Sequence, residues 1–313
     1  MMRSRSVCSS LFLLITLMTF WGCESDKAKK EPPDTPLRGV LRISCDESFR
    51  PVMEQQAYVY ENLYPEAHIK ITYKPEAECL KDILVDSIQM VIATRGFSEA
   101  ESAKVTDSFK IELKDLRIAR DIVAVLVHPS ARDSFFSMEE IRGLLTGKLK
   151  KDLIPVMDGT TATSTVRFLL DSVLRDENFG SHVVAASGSM DVIEFVSKTP
   201  NAVGFVGFSW IGNMDDTTQA SWRKKVRTAY LESTDSAGAY VSPSQYFIYT
   251  KSYPMVRDLF FIMKEKHYGI AHGFAKFLER QQGQLIFRRS YIMPVILPNY
   301  LRKTVISDTI NKY

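Results

Sequence analysis

Little cysteine, little histidine and no charge excess of either sign mark this chain. Four cysteines and five histidines stand among 313 residues. None of His68, His128, His182, His267 or His272 falls in an HExxH or Cys-rich ligand spacing, which argues against a metal site. The formal net charge is only +3, so no electrostatic footprint for nucleic acid is present. A G-x-G-x-x-G loop is missing, and Thr146-Gly147-Lys148 lacks the upstream glycine of a phosphate-cradling P-loop. Gly207-Phe-Ser-Trp-Ile-Gly212 is one residue too long for a nucleophile elbow. Carboxylates are plentiful, yet none forms a recognisable catalytic pair. The expectation is a protein without cofactor, metal or enzymatic chemistry.

Long apolar runs are missing too, apart from Leu11 to Trp21, which is uncharged but too short for a bilayer span of roughly 20 residues. Arg3 and Arg5 precede it, and Gly22 and Cys23 follow, the layout of a secretory signal. A cysteine after a small residue resembles the lipobox of bacterial lipoproteins, with Phe20 where that motif has Leu, Ala or Ser. The resemblance implies a signal over residues 1–22 and a lipid on Cys23 that tethers the chain to a membrane. Residues 23–37 are charged and proline-rich and read as a flexible tether. Loss of Arg3 and Arg5 lowers the net charge from +3 to about +1. Cys8 leaves with the signal, so Cys45 and Cys79 remain. In an oxidising compartment two readings stay open for them, a disulfide or two half-buried free thiols.

The rest alternates between strand and helix patterns. Residues 39–44, 68–73 and 88–93 read as strands, with helices over 52–64 and 78–87. Asp121 to Val127 is almost continuously apolar, as a strand buried on both faces must be. Ser137 with Glu140 fits a capping box before Ile141, Leu144 and Leu145. Residues 155–157 and 203–208 read as strands, 164–175 as a helix, and Ser189 as the cap of another. Residues 246–249 read as a late strand, followed by helices over 256–264 and 270–281. This is an α/β protein with helix-covered sheets.

Three strand-to-helix junctions carry hydroxyls and arginines: Asp46-Glu47-Ser48-Phe49-Arg50-Pro51, Thr94-Arg95-Gly96, and Thr160 through Arg167. Unpaired N–H groups, hydroxyl donors and a guanidinium fork suit a tetrahedral oxyanion. Ligands in open α/β sheets bind at such strand ends. Each junction alone is also a plain helix cap; three in one chain point to an anion cleft.

The order of these segments resembles that of periplasmic phosphate-binding proteins of ABC transporters, over most of residues 38–298. Asp46-Glu47-Ser48-Phe49 with Pro51 is similar to that family's first phosphate loop. Ala119 to Pro129, Met138 to Gly147, Thr163-Ser164-Thr165-Val166-Arg167, and Asn201 to Gly207 resemble later family segments in the same order. Pro243 to Tyr249, Tyr253-Pro254, Gly283-Gln284 and Pro294 follow the same pattern. The resemblance implies a two-lobed type II periplasmic-binding-protein fold with two hinge crossings, near residues 118–124 and 240–247. Lobe 1 would comprise 38–120 and 245–313, and lobe 2 would comprise 121–244, closing by hinge motion.

The ligand shell implied is Ser48, Phe49 through its amide, Thr94, Arg95, Thr163, Ser164, Thr165 and Arg167. The implied role is a monomeric, lipid-anchored receptor that captures phosphate and delivers it to an ABC permease. Two departures from the family stand out. Glu76-Ala-Glu78-Cys79 replaces a Gly/Ser-rich loop, and the aspartate that accepts phosphate's proton would fall near Met90. Asp46, Glu47 or Asp158 are the candidates to replace it. Alternatives are another oxyanion such as sulfate, or a sensor or interaction lipoprotein on the same fold. An exported phosphoester hydrolase would need a nucleophile or metal set that the sequence does not offer.

Overall fold

Backbone order follows the hydrophobic patterning from the first strand. In Gly39–Asp46 (β1), Leu41 and Ile43 are buried while Val40 and Arg42 face solvent, and the last four residues are buried on both faces. The computed structural model describes residues 34–159, 163–264 and 266–295. Two units divide the chain, Met1–Pro33 and Asp34–Tyr313, and the described residues belong to the second. The expected signal, Cys23 and most of the tether lie outside the described residues. Among those described, no helix is long and apolar enough to cross a membrane.

After β1, a 3-10 turn leads into Arg50–Leu63 (α1), with Pro51 in the first turn, where its missing N–H goes unneeded. Ala67–Lys74 (β2), Glu76–Asp82 (α2), Met90–Ala93 (β3), Glu99–Phe109 (α3) and the long strand Lys114–Val127 (β4) follow. The chain continues through Phe135–Phe136 (β5), Met138–Thr146 (α4), Ile154–Met157 (β6) and Ser164–Phe168 (α5), which runs on as a π turn to Leu174. Next come Val184–Ala185 (β7), Ser189–Lys198 (α6), Ala202–Gly207 (β8), Thr217–Arg223 (α7), Arg227–Thr228 (β9), Tyr230–Glu232 (β10), Tyr240–Val241 (β11) and Gln245–Tyr249 (α8). Val256–Met263 (β12), Ile270–Glu279 (α9), Gln281–Arg289 (α10) and Met293–Pro294 (β13) complete it.

β4 belongs to both halves. The main sheet runs β2-β1-β3-β12-β4-β8-β6-β7, with β9 and β13 also on β4. Residues 114–122 of β4 pair antiparallel with β12, and residues 123–127 pair antiparallel with β8. The parallel pairs are β1 with β2 and β3, and β6 with β7 and β8. Two cores flank this shared strand. Ile43, Phe49, Tyr60, Phe261, Phe274 and Phe287 belong to the first, and Val125, Ile141, Leu145, Val166 and Phe205 to the second. The capping box at Ser137 and Glu140 forms as its spacing predicts, and Ser98 with Glu101 makes another at the start of α3.

Two expectations are corrected. Residues 246–249 form a short helix capped by Ser244 rather than a strand, and residues 256–263 form a strand rather than a helix. In β12 the side chains of Arg257, Leu259, Phe261 and Met263 are buried at every second position, the period of a strand squeezed between β3 and β4. Ile248, Tyr253 and Met255 belong to the second core, and Val256 packs against it. Of the two readings left open for Cys45 and Cys79, the structure has the free thiols, both of them buried. Burial raises both thiols, Cys79 to about 12, so neither is a ready thiolate.

Candidate functional site

Where the carboxyl ends of β1 and β6 approach each other, polar groups from both lobes meet in a buried cluster. Asp46 ends β1, and its Oδ1 accepts the N–H of Ser48 at 3.1 Å, which shapes the turn into α1. Ser48 Oγ lies 3.3 Å from Ser164 Oγ of the second lobe. Ser209, just past β8, donates its hydroxyl to the Ser48 carbonyl at 2.5 Å. Thr163 caps α5 by accepting the Val166 N–H at 3.2 Å. Thr163 and Thr165 both donate to the buried Asp158, at 2.9 and 3.0 Å.

Arg257 of β12 supplies the cation at this centre, and it is only 5% exposed. Its Nη1 donates to Ser164 Oγ at 2.8 Å and more distantly to Thr165 Oγ1 at 3.4 Å. Nε and Nη2 both reach Asp121 Oδ2, at 3.1 and 2.9 Å, and the guanidinium lies 5.0 Å over the Phe49 ring. Gly207 makes this approach possible. A Cβ there would sit 2.7 Å from Arg257 Nη2 and 3.3 Å from the Ser48 carbonyl. Arg257 does not stand out in the sequence, where its segment has the look of a helix. The available signal was a lone cation at an inward position of an alternating apolar strand, where a charge persists only with a partner.

The eight residues singled out from sequence therefore divide. Ser48, Phe49, Thr163, Ser164 and Thr165 gather around Arg257. Thr94 and Arg167 gather instead around Glu76, at the start of α2 and 1% exposed. Glu76 Oε1 accepts both the N–H and the hydroxyl of Thr94, at 2.7 and 2.5 Å. Arg167 reaches across from α5, Nε to Glu76 Oε2 at 2.6 Å and Nη2 to Thr94 Oγ1 at 2.5 Å. Arg95 belongs to neither group, since Glu101 holds it in a bidentate pair with both distances 2.8 Å. Glu78 is exposed, and Met90 lies at the amino end of β3 in the first core, away from the carboxyl strand ends that form the site. Ser189 is not a cap; it donates across the lobes to Glu47 at 2.9 Å.

Acids outnumber arginines here. Among the described residues, Asp46, Glu47, Glu76, Asp121 and Asp158 face three arginines, Arg167 and Arg257 in direct ion pairs and Arg50 acting on Glu47. Burial pushes Asp46 up to about 7, with Glu76 adding repulsion and Arg257 opposing it. Burial also raises Glu47, Asp121 and Asp158. Burial acts in the same sense on Glu76, but the Arg167 and Thr94 donors outweigh it and hold that carboxyl below its usual range. Asp46 Oδ2 is buried with no partner among the described residues, so this centre is short of donors.

Asp46 gives a pH signature with a definite sign. Its folded value, about 7, lies above the ordinary 3.8, so the folded protein binds this proton more tightly than the unfolded chain. Its contribution to stability is therefore largest below pH 4 and falls as pH rises through about 7. Chemical denaturation from pH 4 to 8 should show Asp46→Asn losing less stability across that window than wild type. Parallel curves would remove the assignment.

A family profile described as the PBP superfamily domain matches residues 30–281. The chain belongs to the PBP superfamily. Phosphate-binding protein PstS of Bacillus subtilis (strain 168) is 25% identical to it over 200 residues, covering 60% of this chain and 62% of that protein. The match thus spans less than two thirds of that relative's length. Among solved structures, a putative phosphate ABC transporter substrate-binding protein with bound phosphate from Clostridium perfringens superposes with TM-score 0.67 at 20% identity. It covers 82% of this chain and 100% of that one. An ABC-type phosphate transport receptor from Vibrio cholerae gives 0.59 at 15% identity, with coverage of 82% and 100%. These likenesses establish the fold of this PBP superfamily member, a type II binding-protein architecture.

Proposed function

We propose that this PBP superfamily member is an extracytoplasmic receptor that captures phosphate between its lobes and hands it to an ABC permease, breaking no bonds. The observation that carries the reading is Arg257, a buried fork set against the Ser164 and Thr165 hydroxyls with Ser48 facing them from the other lobe. A fixed guanidinium ringed by hydroxyls from two lobes suits a tetrahedral oxyanion enclosed by closure. The names of the relatives support phosphate in particular. The proposed shell is Ser48, Phe49, Thr163, Ser164, Thr165 and Arg257, with Thr94 and Arg167 one step outside and Arg95 beyond. A lipid on Cys23 would hold the receptor at the membrane, and a monomer suffices for the task.

Asp46, one of the three candidates with Glu47 and Asp158, takes the part of the family aspartate whose place here falls near Met90. Its unpartnered Oδ2 faces a centre already rich in acids, and in its ionised form it accepts a hydrogen bond from the proton that hydrogen phosphate keeps. Sulfate at neutral pH offers no such proton, and its lone pairs would oppose the carboxylate. Calorimetry on residues 24–313, refolded to strip bound ligand, should show saturable phosphate binding with sulfate at least a hundredfold weaker. Silence toward both anions would end the reading and favour a sensor or interaction lipoprotein.

A further inference from the structure

Beside the Glu76–Arg167 pair lies a cavity of about 570 Å³ that capture of a small inorganic anion does not require. Leu80, Ile83 and Leu84, in and just after α2, wall it on the first-lobe side with Val105 of α3. Val166 and Leu170 wall it on the second-lobe side. The volume falls within the range of organic-ligand pockets, roughly 300–1,000 Å³. Its lining carries four cations, Lys81, Arg95, Lys104 and Arg167, against two acids, Glu76 and Glu101. Glu101 neutralises Arg95 and Glu76 neutralises Arg167. Lys81 and Lys104 are exposed and have no acid partner among the described residues. Leu84 is left 52% exposed. The cavity is thus apolar inside, with unneutralised positive charge at its edge.

We propose that this cavity binds a free single-chain amphiphile with an anionic head. The alkyl chain lies between α2 and the Val166–Leu170 wall, and the head lies on Lys81 and Lys104. Hydrophobic walls reward chain length, and unpaired ammonium groups select the head. Because the two walls belong to different lobes, an occupied cavity favours the closed arrangement. The proposal does not rest on the phosphate reading, since the cavity shares only Glu76 and Arg167 with the anion cluster.

The test is titration of the full chain with butyl, hexyl and octyl phosphate below their micelle concentrations. Inorganic phosphate is held in saturating excess, so that a phosphate-binding cleft is already filled. Each added methylene should tighten binding by up to about fourfold while the cavity has room. Octanol should bind at least tenfold more weakly than octyl phosphate. Leu84→Asp alters a half-exposed side chain and leaves the core intact; it should flatten the chain-length series. A Lys81→Glu, Lys104→Glu double variant should weaken octyl phosphate about tenfold. Affinity independent of chain length, or a series that survives Leu84→Asp, overturns the proposal. Inorganic phosphate titrated alone reports the cleft separately, so the two readings fail independently.

Discussion

Replacing Arg257 with methionine should cost about 3–5 kcal/mol of folding stability and at least a hundredfold in phosphate affinity. The stability loss follows from what remains. Asp121 is fully buried, both bonds from Arg257 land on its Oδ2, and its Oδ1 has no partner among the described residues. Removing one member of a buried ion pair leaves an uncompensated charge, typically worth 3–5 kcal/mol. The affinity loss follows from the fork. Two charge-assisted hydrogen bonds at roughly 1.5–3 kcal/mol each exceed the 2.7 kcal/mol that a hundredfold represents. An Arg257→Met, Asp121→Asn double variant separates the two effects. It should regain much of the stability in urea denaturation while phosphate binding by calorimetry stays lost. Lysine at 257 keeps the charge but cannot bridge Asp121 and Ser164 together, so it should fall between. If Arg257→Met binds phosphate as wild type does, the cluster is a structural ion pair and the capture site lies elsewhere.

How much of this was legible in the sequence depends on the range of the interaction. The alternation of β1, the apolar run of β4 and the capping box at Ser137 are local patterns, and each folds as it reads. Ser48 and Ser164 were legible as loop hydroxyls, although nothing local could show them 3.3 Å apart across 116 positions. Residues 256–263 failed because a short apolar segment with mixed polar residues fits either period, and only burial between β3 and β4 decides it. That error hid Arg257, whose partner Asp121 lies 136 positions away. Arg167 was legible as a cation but not as an occupied one. In the sequence its partner Glu76 stands out only as part of the segment that replaces a Gly/Ser-rich loop, not as the group that holds Arg167.

Glu76→Gln should move stability and affinity in opposite directions. In the folded protein Glu76 accepts from Thr94 on its own lobe and from Arg167 on the other, so it ties the lobes together while using donors an anion would want. Its carboxyl is held below the usual range, so its charged form favours the folded state at neutral pH. Glutamine keeps one acceptor for Thr94 but loses the charge opposite Arg167, which should destabilise the chain by roughly 1–3 kcal/mol. Arg167 is about a third exposed, so water repays part of that loss. Phosphate feels the reverse. One buried negative charge disappears from a centre that already holds too many, and repulsion between unit charges a few ångströms apart in protein is worth roughly 2–4 kcal/mol. Even after screening, affinity should rise about tenfold. The gain should be largest at alkaline pH, where Asp46 has lost its proton. Weaker phosphate binding in Glu76→Gln would mean instead that the Glu76–Arg167 bridge organises the closed site, and that closure rather than charge limits capture.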